Sequence, residues 1–124
     1  LSAVLHIQRL DLALKFTGED VILRRGTTSF TDLTVRASVR AYNAQEITGG
    51  VVVGDIRVTL SPTGLDDAAW VAAGGSAGTT PFNPDRRIPT IGNRVIVQGR
   101  NRRIEQVMPV FVNGTLVRIG LQAR

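Results

Sequence analysis

The chain has no cysteine, one histidine, one lysine and only six aromatic residues in 124. Without cysteine there is no disulfide and no thiolate-held zinc or iron–sulfur centre, and thiol usage leaves no mark of the redox compartment. A lone histidine, His6, excludes a histidine-rich metal site. No apolar run approaches the roughly 18 residues that a membrane-spanning helix needs. The opening Leu1-Ser2-Ala3-Val4-Leu5-His6 lacks the basic region and apolar core of a signal peptide. Neither GxxxxGK[ST] nor GxGxxG occurs, and Gly49-Gly50 alone is too generic to imply phosphate binding.

What is present is arginine, unevenly placed. Fourteen of the fifteen basic residues are arginine, a side chain whose planar fork suits phosphates and carboxylates. From Arg86 onward eight arginines face one acid, Glu105, a net of +7, whereas residues 1–85 carry a net of −2. A hydrophobic content of 43% with 20% charged residues is that of an ordinary globular chain. This length supports a single domain over residues 1–124 with one core.

Residues 1–17 read as an N-terminal helix centred on 4–16, since Ile7, Leu10 and Leu14 share a face and Gly18 ends the run. Leu10, Leu12, Leu14 and Phe16 also alternate, so a strand competes, but helix-forming residues dominate. Residues 21–25 form a short strand ended by Gly26. Residues 33–42 alternate cleanly, with Leu33, Val35, Ala37, Val39 and Ala41 on one face and Arg36 and Arg40 on the other. Residues 43–54 read as a long loop with short extended pieces at Val51-Val52-Val53, and Ile56, Val58 and Leu60 mark another strand. Thr63 is placed to cap a short helix, with Asp66 at the capping-box position and Trp70 as its anchor. Residues 72–92, rich in Gly and Pro, form a second long loop. A closing meander follows: Val95-Ile96-Val97, a Gly99-Arg100-Asn101 turn, residues 104–112, an Asn113-Gly114 turn, and residues 116–121. The expected fold is mainly β: a small antiparallel barrel of about six strands with an N-terminal helix, a short second helix and long loops.

Catalytic constellations are scarce, and the chain reads as a non-enzyme without metal or cofactor. His6 has no nucleophile partner, and the adjacent acids Glu19-Asp20 and Asp66-Asp67 fit capping and turn formation better than a convergent pair. Asn113-Gly114-Thr115 matches a glycosylation sequon, yet between two β-runs it reads as a type I′ hairpin turn. Arg100, Arg102 and Arg103 are placed at one hairpin tip, with Arg86 and Arg87 in the second loop. Such a cluster is either a solvated face or an electrostatic contact with a nucleic-acid backbone or an acidic partner. No aromatic lies inside it, which disfavours a base-stacking single-strand module.

Several stretches together resemble one family. Residues 16–25 (FTGEDVILRR), the strand ending Arg40-Ala41-Tyr42, Ile47-Thr48-Gly49-Gly50, Gly54-Asp55-Ile56-Arg57-Val58 and Leu60-Ser61-Pro62-Thr63-Gly64-Leu65 precede Trp70. Residues 92–107 (GNRVIVQGRNRRIEQV) supply a later strand pair. In this order the chain is similar to the small head–tail connector proteins of tailed phages, of the head-closure or stopper type, over about residues 16–121. It departs from them at Asn93, where an Asp is usual, and in the length of 72–92. The resemblance implies a virion protein assembled in the host cytoplasm as a ring, on the order of six or twelve copies with heterologous contacts. That ring sits at the head–tail junction between portal–adaptor proteins and the tail terminator or tail tube, around the double-stranded DNA channel. It also implies that loop 43–54, with Gln45, Glu46, Ile47, Thr48, Gly49 and Gly50, projects into the channel and retains DNA. Arg86, Arg87, Arg100, Arg102 and Arg103 would then meet ring neighbours or DNA phosphates, with neighbours favoured for the last three. A basic nucleic-acid-binding barrel and a tail completion or terminator protein are the alternatives.

Overall fold

The computed structural model describes residues 3–26, 28–73 and 86–124. Helix α1 (Ala3–Thr17) leads into β1 (Glu19–Arg25) and β2 (Thr31–Ala41), then a 3₁₀ turn (Ala44–Glu46) and β3 (Ile56–Leu60). A second 3₁₀ turn (Pro62–Leu65) and helix α2 (Ala68–Ala73) precede β4 (Arg94–Val97), β5 (Arg100–Val112) and β6 (Thr115–Ala123). The six strands close into an antiparallel barrel in the order β1-β2-β3-β6-β5-β4. Closure pairs most of the edges that so small a sheet would otherwise expose.

Alternation in the sequence becomes the inside and outside of this barrel. Val21, Leu23, Val35, Ala37, Val58, Leu60, Val95, Ile104, Ile119 and Leu121 point inward and are buried. Each large apolar side chain removed from water contributes about 1.5–3 kcal/mol. Leu65, Trp70 and Ile88 join the same core from outside the strands and cover it at the Arg25 end. Helix α1 lies against β6, β2 and the second 3₁₀ turn. Leu14 is its buried anchor, and Ile7 and Leu10 are half-buried on the same face, as the spacing predicts.

Helix α1 stops for a steric reason. A Cβ on Gly18 would lie 2.5 Å from the Leu14 carbonyl oxygen and 2.9 Å from that of Ala37, so only glycine fits between helix and sheet. The Arg36 guanidinium then donates to the carbonyls of Lys15 and Gly18 and adds a second donor to that of Leu14, which already accepts from the Gly18 amide, so the helix end is held against β2.

Four sequence expectations change. Thr63 caps no helix; Ser61 caps the 3₁₀ turn and the Asp67 carboxylate accepts from the Trp70 amide to start α2. The Thr63 hydroxyl instead donates to Asp11 and ties α1 to this turn. Glu19 and Asp20 form no turn but open β1, because an exposed strand end accepts charge on its outer face. Val51-Val52-Val53 is not part of a strand, and 44–46 within the expected loop is a 3₁₀ turn. The β4–β5 turn is Gln98-Gly99, both at positive φ (52° and 80°), so Arg100 starts the next strand instead of sitting in the turn. Asn113-Gly114 (φ 49° and 77°) is the expected tight hairpin. Within the expected loop 72–92, residues 74–85 lie outside the described residues.

β5 is the longest strand at 13 residues, and β4 pairs only with residues 100–103 of it. From Gln106 to Val112, β5 pairs with β6 alone among the described residues. Residues 106–109 still belong to the barrel wall, because their β6 partners 119–122 also pair with β3; only 110–118 runs on as a hairpin arm, with Met108 exposed at its base and Phe111 exposed on it. Pro109 sits on this unpaired edge, where its missing amide costs no ladder bond. Bulges at 104/106 and 110/111 bend the arm.

Candidate functional site

Loop 43–54 is fastened at both ends. Asn43 and Glu46 form a capping box, each side chain accepting from the other's backbone amide at 3.0 Å. The Arg40 guanidinium grips the Glu46 carboxylate through two bonds of 2.8 Å. These contacts hold the Glu46 carboxyl well below its ordinary range, at about 2, with the Arg40 bond the larger cause and the Asn43 amide next.

The other end is held by Asp55, whose side chain is fully buried. Its carboxylate accepts from Gln122 Nε2 (2.8 Å), the Val52 amide (3.1 Å), and Arg124 Nε and Nη2 (3.1 and 3.2 Å). Gln122 and Arg124 also donate to the Gly50 carbonyl at 3.0 and 2.8 Å. The Arg124 bond, the leading cause, keeps the Asp55 carboxyl below the usual aspartate range against the opposing effect of burial. Between these anchors lie Ile47, Thr48 and Gly49, with Gly49 at φ 59° and nothing within 4 Å of a Cβ built there. Gln45 is exposed on the 3₁₀ turn.

The arginines expected at one tip are separated by the pleat of β5. Arg100 and Arg102 pair with Val97 and Val95, the inward-facing positions of β4, and so lie toward the barrel rim. Arg102 donates to the Gly54 carbonyl at 3.0 Å, and its Nε is buried without a partner. Burial first, and Arg100 second, lower its pKa. Arg103 points outward and lies directly opposite Arg94 on β4. Arg86 is exposed, and the Arg87 carbonyl accepts from the Trp70 indole at 3.0 Å.

Arg25 carried no signal in the sequence. Its guanidinium is buried, stacks 3.8 Å from the Trp70 ring, and donates to the Trp70 and Ile88 carbonyls at 2.6 and 2.7 Å. Burial lowers its pKa to about 10. It binds the 87–88 segment to α2, a structural task that strand alternation alone could not reveal.

Among the described residues, no three His, Cys, Asp or Glu side chains converge as a metal set, and no helix is long and apolar enough to cross a membrane. What the arrangement offers is charge and surface: an anchored loop, a rim with Arg100 and Arg102, an outer wall with Arg94 and Arg103, and a β5 edge with exposed Met108 and Phe111. No protein-family model matches the chain, and no curated protein matches it either.

Proposed function

We propose that the protein is a structural neck component of a tailed phage or phage-derived particle, of the head-closure type. It assembles as a ring between portal–adaptor and tail, surrounds the DNA channel, helps retain packaged DNA and offers the tail a docking surface. The observation that carries this reading is the β5 edge. Among the described residues the outer edge of β5 has no partner strand from Gln106 to Val112, and Met108 and Phe111 are exposed along it. Such an edge is a hazard on a free monomer and an asset where a neighbour covers it. A closed barrel with one long helix also favours the closure type over a tail terminator, which packs several helices on a sheet. In this reading Ile47, Thr48 and Gly49 are the part of loop 43–54 nearest the channel, spanning the anchors at Glu46 and Gly50.

Two measurements test it. Negative-stain microscopy and light scattering of concentrated protein should reveal rings, and Met108→Glu with Phe111→Glu should return them to monomers without lowering the melting temperature. A labelled copy should appear at the head–tail junction of the particle. A chain that stays monomeric at all concentrations and is absent from that junction would end the proposal.

A further inference from the structure

Two arginine pairs face each other directly across neighbouring strands of the barrel: Arg40 with Arg57 on β2 and β3, and Arg94 with Arg103 on β4 and β5. Like charges so placed, with Cβ atoms roughly 4.5–5.5 Å apart, destabilise a sheet unless something neutralises them. The first pair has its counterion built in, since Glu46 is bound to Arg40 and also feels the charge of Arg57. The second pair has none among the described residues. Neither the Arg94 nor the Arg103 side chain makes a hydrogen bond or ion pair with any described residue, and both are exposed.

Neither nearby acid among the described residues is ion-paired with these two arginines. Asp32 is held by Arg24, the β1 neighbour of Arg94, through bonds of 2.8 and 2.9 Å. Glu105 sits at the β5 bulge, where its charge acts on Arg124. Beside the pair runs a groove of about 530 Å³ lined by Arg24, Gly26, Phe30, Gly92, Arg94 and Asn101. Phe30 forms its rim, with the Arg24 guanidinium 5.0 Å from the ring centre.

We infer that the Arg94–Arg103 wall is a phosphodiester-binding site, a sequence-independent contact for a nucleic-acid backbone. A charge pair that lacks a counterion among the described residues gains most from an external anion, and exposed guanidiniums bind phosphate through parallel donors. Asn101 adds a further polar group on the groove. A protein partner is the weaker fit here, because the exposed Met108 and Phe111 lie farther along β5. The basic wall and the face for protein contacts are therefore separate. The inference does not require the ring; within the neck reading it names the wall turned toward DNA.

The test is fluorescence anisotropy of the whole protein with a labelled duplex of about 20 base pairs, titrated between about 50 and 200 mM salt. Arg94→Gln with Arg103→Gln should weaken binding and lower the slope of log K against log salt by about 1.8, the share of two phosphate contacts. The melting temperature should hold or rise, because a like-charge pair has been removed, and Arg57→Gln should leave the slope unchanged. An unaltered slope in the double variant, or no wild-type binding at low salt, overturns the inference. So does polyglutamate that displaces the DNA as well as unlabelled duplex does. Rings that persist while the double variant binds as tightly as wild type sink this site alone; DNA binding by a protein that never forms rings sinks only the neck reading.

Discussion

Replacing Asp55 with alanine should loosen loop 43–54 and cost more stability than any surface ion pair. The buried carboxylate accepts four hydrogen bonds, and its removal leaves Gln122 Nε2 with only its bond to the Gly50 carbonyl, in a buried residue whose Oε1 already has no partner. Breaking a fully buried pair costs about 3–5 kcal/mol, and removing one partner of a buried hydrogen bond about 1–3 kcal/mol. Arg124 remains 44% exposed and can turn to water, which discounts the ionic part. The expected loss is therefore about 2–3 kcal/mol, a drop of roughly 6–15 °C in a domain of this size. Asp55→Asn keeps an acceptor but loses the charge and should fall about halfway between. The sign with pH is definite. Because the folded carboxyl titrates below its unfolded value near 3.9, its stabilisation is complete above that pH and lost as pH falls through the lower folded value. Urea unfolding of wild type and Asp55→Asn at a series of pH values should thus give a gap that is constant near neutrality and closes in acid. Amide exchange should quicken at Val52 while the β1–β2 amides keep their protection. A loss below about 0.5 kcal/mol, or a gap as wide in strong acid as at neutral pH, would refute the account of this network.

Arg25→Lys should cost about 1–3 kcal/mol, because an ammonium cannot hold the Trp70 and Ile88 carbonyls and stack on the indole together. The midpoint of urea unfolding, followed by the fluorescence of the sole tryptophan, reads it. Gly18→Ala should destabilise by about 1–3 kcal/mol through collision with two backbone carbonyls, lowering the melting temperature while circular dichroism still reports the barrel. Glu46→Gln should leave the global midpoint nearly unchanged, since the Arg40 pair lies at the surface, yet raise amide exchange at 44–48. In wild type the same release should appear on acidification, as pH drops from the ordinary glutamate range toward about 2.

The barrel was legible because its strands alternate. Leu33, Val35 and Ala37 against Thr34 and Arg36 could form only a half-buried strand, and Asn113-Gly114 only a tight turn. The site was less legible, for two physical reasons. Closeness in sequence is not closeness on a strand: Arg102 and Arg103 are adjacent in the chain and point to opposite faces, so the apparent cluster divides between rim and wall. Contacts across closure are invisible to local pattern as well. Asp55 finds Gln122 and Arg124 only because β3 lies beside β6, and Arg94 meets Arg103 only through the register set by Gln98-Gly99. Gln98 itself hid that register, being a residue seldom found at positive φ.

One extra residue gives β5 its double duty. Up to Pro109 the strand is a barrel wall; within it, at Glu105, the ladder slips, and Val107 rather than Gln106 takes the inward side opposite Leu121. A regular strand of the same composition would have turned Gln106 toward the core and Val107 to solvent. Part of the bend that aims the arm therefore resides in the length of the chain at Glu105, and part in the second shift at 110/111, and not in the chemistry of the arm. Related barrels could redirect this projection by gaining or losing that single residue, each keeping its interior intact while presenting the arm at a different angle.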